Sequence, residues 1–210
     1  MTNYADYLIV LSPPKEICEQ IEKHKLDAAK IIGKYDSAHS KAYINVKDVP
    51  MNESNIMEQE METLKNSVKL LPPIVLTIDG FDVFAHGNEY RTIYAKIQSN
   101  QENSLWFKAL KKHINLKSYF VPHITIAKNI HVTAYNQLWP HFNALKWVEG
   151  FEIKQLTVLQ REPFNNSAHW KKYLEIPFEG QQLVSEAPAK QSLLKPLSGN
   201  YSKSQQISLF

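Results

Sequence analysis

The sequence predicts an α/β protein of the α+β type, with two similar lobes around a central cleft. Each lobe is expected to be an antiparallel sheet that carries helices on its outer side. Two observations predict this fold. A short strand motif of alternating polar and apolar residues occurs twice, within Lys41–Val46 and Pro122–Ile126. A helix-like stretch and further strand-like runs follow each copy, so segments 41–97 and 121–178 form an internal repeat.

The elements before and after the first motif define the first lobe. The chain is expected to begin with strand Tyr7–Leu11, and two prolines then open a helix that buries Ile17, Ile21 and Leu26. The later elements of this lobe are a helix over about Glu53–Val68, strands Ile74–Ile78 and Phe81–Phe84 joined by a Gly80 turn, and the alternating run Thr92–Ile97.

The second lobe repeats this order after the second motif. Its elements are a helix over Ala134–Leu145, the alternating run Phe151–Leu159, a turn-rich segment around Asn165-Asn166, and a strand over Lys172–Phe178. Residues 1–178 are therefore interpreted as one bilobal domain. Residues 179–210 are rich in Ser, Gln, Lys and Pro and are interpreted as a polar C-terminal tail.

Composition limits the classes of protein. The chain is 43% hydrophobic and 21% charged, which is ordinary for a globular domain and unlike a disordered chain. A net charge of +3 and a pI of about 8.7 fit a small nucleotide or RNA terminus better than long nucleic acid. We expect no membrane segment, no secretory leader, and no disulfide from the single Cys18, hence a cytoplasmic location. A monomer is favoured, although the sequence leaves the oligomeric state open.

The two motifs supply the candidate chemistry. Alternation along a strand places His123 and Thr125 on one face, and Tyr43 and Asn45 occupy the same places in the first copy. An imidazole can transfer a proton while a hydroxyl binds a phosphate oxygen, so the second motif suits phosphate chemistry. For either motif alone, an ordinary half-buried strand is the simpler explanation. The repetition favours a functional site.

These motifs resemble the two-histidine (2H) phosphoesterases, the 2'-5' RNA ligase-like and cyclic phosphodiesterase proteins. Their signature is one His-x-Thr/Ser motif in each lobe. His123 and Thr125 match it in full, whereas Tyr43 and Asn45 depart from it. The resemblance covers about residues 4–178 and implies the bilobal fold.

The resemblance also implies the chemistry. Two histidines would share the proton transfers that open a 2',3'-cyclic phosphate or form a 2'-5' RNA linkage, and two hydroxyls would hold the phosphoryl oxygens. It implies no cofactor and no metal. His123, Thr125, Tyr43 and Asn45 are the corresponding catalytic candidates. Because a phenol with a pKa of about 10 is a poor base, we expect reduced turnover, while Asn45 could still donate its amide to phosphate.

Other residues are candidates for the missing histidine or for substrate binding. His39 is about 13 Å from Tyr43 if the chain is extended, too far to replace it. His86 and His169 lie in predicted turns that could reach the cleft. The substrate-binding candidates, chosen as phosphate ligands or as base-stacking rings, are Arg161, Lys128, Arg91, His86 and Tyr94.

Three function classes remain open at this point. The chain could be a metal-independent phosphoesterase that acts on a cyclic phosphate or a 2'-5' linkage. It could be a non-catalytic descendant that binds a nucleotide or RNA end. It could also be a scaffold that uses the fold for protein contacts, which a cleft filled by side chains would indicate.

Overall fold

The computed structural model describes residues 4–164 and 169–181. The turn predicted around Asn165-Asn166 and most of the predicted tail lie outside these residues. The elements in chain order are β1 (Tyr4–Leu11), α1 (Lys15–Ile32), β2 (Ile44–Glu53), α2 (Ser54–Val68), β3 (Ile74–His86), β4 (Tyr90–Ile97), α3 (Gln101–His113), β5 (His123–His131), α4 (Val132–Ala144), β6 (Val148–Ile153), β7 (Gln155–Arg161) and β8 (Lys171–Pro177).

The strands form two four-stranded sheets. The first has the order β2-β1-β7-β8 and the second the order β5-β4-β3-β6, and every pairing is antiparallel. Helix α2 packs against β2 and β8 of the first sheet, and α4 packs against β3, β4 and β5 of the second. The predicted α+β fold with two antiparallel sheets is confirmed. In the described part of the chain no helix has both the length and the apolar character needed to cross a bilayer.

The duplication is visible in the order of elements. A β-α-β-α unit occurs twice, as β1-α1-β2-α2 and as β4-α3-β5-α4. In each unit the second strand is an edge strand paired with the first. The two sequence motifs therefore lie at equivalent sheet edges, where β5 and β2 begin. The predicted lobes were wrong in their strands: β3 and β4 lie in the sheet of the second motif with β5 and β6, whereas β7 and β8 lie in the sheet of the first motif with β1 and β2.

Two element predictions were wrong. Gly80 is not a turn, because β3 continues through it as one strand with a shift of register between Ile78 and Phe81. Gly80 has φ +70°, a conformation that glycine adopts at little cost and that suits a bulge. The run Phe151–Leu159 is not one strand either. It divides at Lys154 into β6 and β7, which belong to different sheets. Alternation alone does not show where a strand leaves its sheet.

Helix α1 buries a lysine where a leucine was expected. Its buried residues are Ile17, Ile21, Lys25 and Ala28, whereas Leu26 is 47% exposed. The Lys25 ammonium donates to the Ser40 carbonyl at 2.6 Å and to the Ser40 hydroxyl at 2.7 Å. These bonds join α1 to the loop that leads into β2. Burial lowers the pKa of Lys25 to about 8.

Removal of this buried amine is expected to change how stability depends on pH. Because the unfolded lysine keeps its proton up to a pKa near 10.5, the unfolded state holds more protons than the folded state between pH 8 and 10.5. The free energy of unfolding therefore rises with pH over this range. The contribution of Lys25 titration to stability is complete above pH 10.5 and is lost as the pH falls through 8. Relative to Lys25→Met, the wild-type free energy of unfolding should rise by about 2 kcal/mol from pH 8 to pH 10.

Urea unfolding of both proteins at the two pH values measures this difference. Lys30→Met is the control on the same helix, because Lys30 is exposed and pairs with Asp27 at 2.8 Å. A Lys25→Met protein whose stability follows the wild-type pH profile would show that the buried amine does not titrate in this range.

Candidate functional site

An open cleft lies where the edge strands of the two sheets meet. β2 and β5 contact each other although they belong to different sheets. The cleft has a volume of about 630 Å³. Its lining residues come from both motifs, from the loop before β2 and from β3, β4 and β5: Asp36, Ser37, Ser40, Lys41, Tyr43, Asn45, Phe84, His86, Thr92, His123, Thr125, Lys128 and Asn129.

The alternation of each motif determines which side chains reach the cleft. In β5, Ile124 and Ile126 are fully buried in the core, while His123 and Thr125 on the opposite face are half-buried. In the first motif, Ile44 is fully buried and Val46 is 5% exposed. Tyr43 and Asn45 are half-buried and line the same cleft as His123 and Thr125. The structure thus brings the four catalytic candidates together.

The His123 ring is held in one orientation. Its Nδ1 lies 2.7 Å from the Val121 carbonyl oxygen, and since a carbonyl can only accept, Nδ1 carries the proton. The neutral ring therefore has its lone pair on Nε2. The rings of Phe84 and Tyr94 pack against the imidazole, with centroids at 5.0 and 5.1 Å. This arrangement fixes the tautomer that a general base requires.

Burial lowers the pKa of His123, and the nearby Lys128 ammonium acts in the same direction, while the bond to Val121 partly opposes them. The ring is consequently neutral at pH 7 in most molecules. A neutral imidazole with a free Nε2 can accept a proton, and it becomes a cationic donor only in more acidic solution.

Tyr43 differs from a histidine in its charge behaviour as well as its shape. Burial and the Asp48 carboxylate raise the pKa of Tyr43, and the Arg161 guanidinium only partly offsets them. The phenol is therefore neutral at physiological pH and does not act as a base there. The surroundings of Tyr43 thus add a second reason, beyond the residue type, to expect reduced turnover.

Asn45 is arranged differently from what the sequence suggested. Its amide nitrogen donates to both carboxylate oxygens of Asp48, at 3.3 and 3.2 Å. The amide oxygen is buried and has no hydrogen-bond partner in the described structure. A carboxylate only accepts, so this contact fixes the amide nitrogen toward Asp48. The amide nitrogen that was expected to bind phosphate is thus engaged by Asp48 through at least one of its two N–H groups.

Of the alternative histidines, the cleft includes His86 but neither His39 nor His169. The His86 Nε2 lies 2.9 Å from the Thr92 hydroxyl, and that hydroxyl accepts from the Asn129 backbone N–H at 3.0 Å. His39 lines a separate hollow beside α1, and His169 is exposed.

The predicted substrate-binding residues are divided between the cleft and its surroundings. Lys128 lines the cleft, and Tyr94 contributes by packing against His123. Arg161 is held outside the lining, with Nε 3.0 Å from an Asp6 carboxylate oxygen and its guanidinium 4.6 Å above the Trp170 ring. Arg91 donates to two backbone carbonyls of its own hairpin and also lies outside the lining.

Sequence reasoning missed the loop before β2, which contributes Asp36, Ser37, Ser40 and Lys41. The Ser37 hydroxyl accepts from the Lys128 backbone N–H at 2.8 Å and so links this loop to β5. The sequence feature that could have indicated this loop was its position, because the loop runs directly into the first motif. Within residues 4–164 and 169–181, no three His, Cys, Asp or Glu side chains are grouped closely enough to hold a metal ion.

A two-sheet antiparallel fold with a His-x-Thr motif at an inter-sheet cleft defines a class of phosphoesterase-like proteins. The family model of the 2'-5' RNA ligase superfamily matches residues 13–163, more than half of the chain. The chain therefore belongs to the 2'-5' RNA ligase superfamily, which confirms the resemblance seen in the motifs.

Solved structures share this fold at low sequence identity. TT0787 of Thermus thermophilus has a TM-score of 0.63 and 12% identity, covering 84% of this chain and 99% of that one. E. coli LigT complexed with phosphate has a TM-score of 0.58 and 11% identity, with 86% and 100% covered. LigT complexed with 3'-AMP has a TM-score of 0.55 and 11% identity, with 85% and 100% covered. No match was found among curated proteins.

Proposed function

We propose that this protein binds the phosphorylated end of a nucleotide or RNA in the cleft between the sheets, and that it turns over 2',3'-cyclic phosphates slowly. One observation carries the proposal. His123, with its Nε2 free, and Thr125 share the cleft with Tyr43, where the family motif has a second histidine.

The second-motif wall of the cleft suits a phosphate. Thr125 offers a hydroxyl and Lys128 adds positive charge, and Lys41 adds a second positive charge from the loop before β2. His123 adds a charged donor when it is protonated. Hydrogen bonds from such groups to phosphate oxygens are among the stronger ones in proteins.

Slow turnover follows from the proton transfers that hydrolysis requires. Water must lose a proton as it attacks phosphorus, and the ribose oxygen must gain one as its P–O bond breaks. The His123 Nε2 can perform one of these transfers. Tyr43, whose pKa is raised by burial and by Asp48, is poorly suited to the other near neutral pH.

The relatives and the open cleft support a binding function. Structures of E. coli LigT contain phosphate, 3'-AMP and ATP, and LigT shares the fold of this chain. In this protein the inter-sheet cleft is open, with a volume of about 630 Å³. A protein that used the fold only as a scaffold would have no reason to keep polar side chains of both motifs around an open space.

Loss of the Thr125 hydroxyl is expected to weaken phosphate binding. Since a hydrogen bond to a charged group contributes roughly 1.5–3 kcal/mol, Thr125→Val should raise the Kd for inorganic phosphate by about tenfold or more. Calorimetry at pH 7 measures it. Thr77→Val is the matched control, because Thr77 is a half-buried strand threonine that does not line the cleft. Equal phosphate binding by wild type and Thr125→Val would remove the phosphate site from this cleft.

A further inference from the structure

We propose that a groove beside the cleft binds a second nucleotide, so that the protein prefers the end of a short single-stranded RNA to a mononucleotide. This α3 groove runs between helix α3 and the segment that leads into β5, and its volume is about 470 Å³. The inference rests on the proposed function, which puts the terminal phosphate in the cleft. Because a 3'- or 2',3'-cyclic phosphate ends its strand, the nucleotide in the groove is the preceding one.

The α3 groove adjoins the cleft where β5 begins. Val121 and Pro122 line the groove, and His123, the next residue, lines the cleft. The Val121 carbonyl oxygen lies 2.7 Å from the His123 Nδ1, so one residue borders the groove and orients the imidazole of the cleft. Because two residues of chain span at most about 7 Å, a strand with its terminal phosphate beside His123 can reach the groove with its preceding nucleotide.

Tyr119 provides a second link between the two sites. Tyr94 packs against the His123 ring, with the ring centroids 5.1 Å apart. Burial and Asp82 raise the pKa of Tyr94 to about 12, and the nearby Tyr119 phenol acts in the same direction. Tyr119 lines the α3 groove, so it lies close to a ring that borders the candidate phosphate site.

The side chain of Tyr119 is suited to a nucleobase. It is 90% exposed, so its ring is accessible to a ligand. Phe107 and Phe120, with ring centroids 5.5 Å apart, form an apolar part of the same groove. Bases stack on aromatic rings with little dependence on sequence, and aromatic rings beside positive charge are typical of sites for single-stranded nucleic acid.

The charge of the α3 groove suits a phosphodiester. Lys108 and Lys111 line it, and none of its described lining residues is acidic. The hollow beside α1 also adjoins the cleft, but Glu22 lines that hollow. The Lys111 ammonium donates to the Ser118 carbonyl at 2.7 Å, which holds the segment before β5 against α3 and leaves other N–H groups of the ammonium for a ligand. Two lysines match one additional phosphate better than a long strand.

Two ligands test the groove in calorimetry: adenosine 3'-monophosphate and the dinucleotide ApAp, which ends in the same 3'-phosphate. Because ApAp adds one base and one phosphodiester, it should bind wild type about tenfold or more tightly than the mononucleotide. The terminal nucleotide is the same in both ligands, so the difference in affinity measures the second nucleotide.

Tyr119→Ala isolates the stacking contact. It should lower the affinity for ApAp by about fivefold or more and leave the affinity for adenosine 3'-monophosphate unchanged. Tyr119→Phe keeps the ring and should keep the wild-type affinity for ApAp. Tyr90→Ala is the matched control, since Tyr90 is a 40% exposed tyrosine that lines neither the groove nor the cleft.

Lys108→Gln isolates the charge of the groove. It should weaken ApAp binding and reduce the dependence of that binding on salt, because one fewer cation contacts the strand. Lys112→Gln is the control on the same helix, since Lys112 is exposed and does not line the groove. It should keep the wild-type affinity and salt dependence.

The results distinguish the two proposals. Equal affinity for the mononucleotide and ApAp, with both weakened in Thr125→Val, would overturn the groove as a nucleotide site and leave the phosphate site intact. Equal losses of both ligands in Tyr119→Ala would also overturn it, because the ring would then act on the cleft alone. Failure of both ligands to bind wild type would overturn the proposed function together with the groove.

Discussion

The double substitution Tyr43→His with Asn45→Thr is expected to raise turnover of a 2',3'-cyclic nucleotide by about a hundredfold or more. It restores the His-x-Thr pattern in the first motif, opposite an intact second motif. Two imidazoles can then divide the transfer of a proton from water and the transfer to the ribose oxygen. Neither transfer is well served by the wild-type phenol.

The surroundings of Tyr43 favour this gain. The Asp48 carboxylate, which raises the pKa of the phenol, would stabilise an imidazolium at the same place. Asn45→Thr also replaces an amide whose nitrogen is engaged by Asp48 with the hydroxyl that the family motif has at this position. The rate of cyclic nucleotide hydrolysis at saturating substrate is the measurement.

Tyr43→Phe with Asn45→Thr is the matched control, because it supplies the threonine without a second imidazole and should remain slow. Addition of His123→Ala to the restored protein should abolish the gain. Brisk hydrolysis by wild type that His123→Ala leaves unchanged would show that both the site and the mechanism are wrong.

Sulfate binding is expected to strengthen by about tenfold or more as the pH falls from 8 to 5. Sulfate keeps the same charge over this range, so a change in affinity reports the protein. The protonated His123 adds a charged donor that the neutral ring lacks. Because burial lowers the pKa of His123 in the ligand-free protein, the affinity should still be increasing as the pH falls below 6.5.

The direction follows from linkage. A group that binds an anion better when it is protonated strengthens binding as the pH falls through its pKa. His123→Gln should flatten the pH profile. His86→Gln should keep it if His123 is the titrating group, since His86 also lines the cleft and bonds to Thr92. A flat wild-type profile, or one that only His86→Gln removes, would be incompatible with an anion on His123.

Patterns within short segments of the sequence predicted much of the fold and the central residues of the site. Alternation in β5 predicted that Ile124 and Ile126 would enter the core and that His123 and Thr125 would share the other face, as the structure shows. The same alternation predicted that Tyr43 and Asn45 would share the face opposite Ile44 and Val46. These predictions succeeded because side-chain direction in a strand depends on the neighbouring residues of the same strand.

Predictions that depended on distant residues were less successful. Periodicity did not reveal that β3 continues through Gly80 or that the chain changes sheets at Lys154. It also placed Leu26 rather than Lys25 in the core, because the buried face of α1 depends on which elements pack against it. Lys25 is accommodated by the Ser40 oxygens, which lie in a separate loop.

The sequence by itself determined the family, the two motif strands and the residue types that face the cleft. Only the tertiary structure decided what those residues can do. It directed the Asn45 amide toward Asp48, fixed the proton of His123 on Nδ1 through Val121, and held Arg161 on Asp6 and Trp170 outside the lining. Hydrogen bonds compete for a limited set of donors and acceptors, and the outcome depends on atomic distances that residue types alone do not specify.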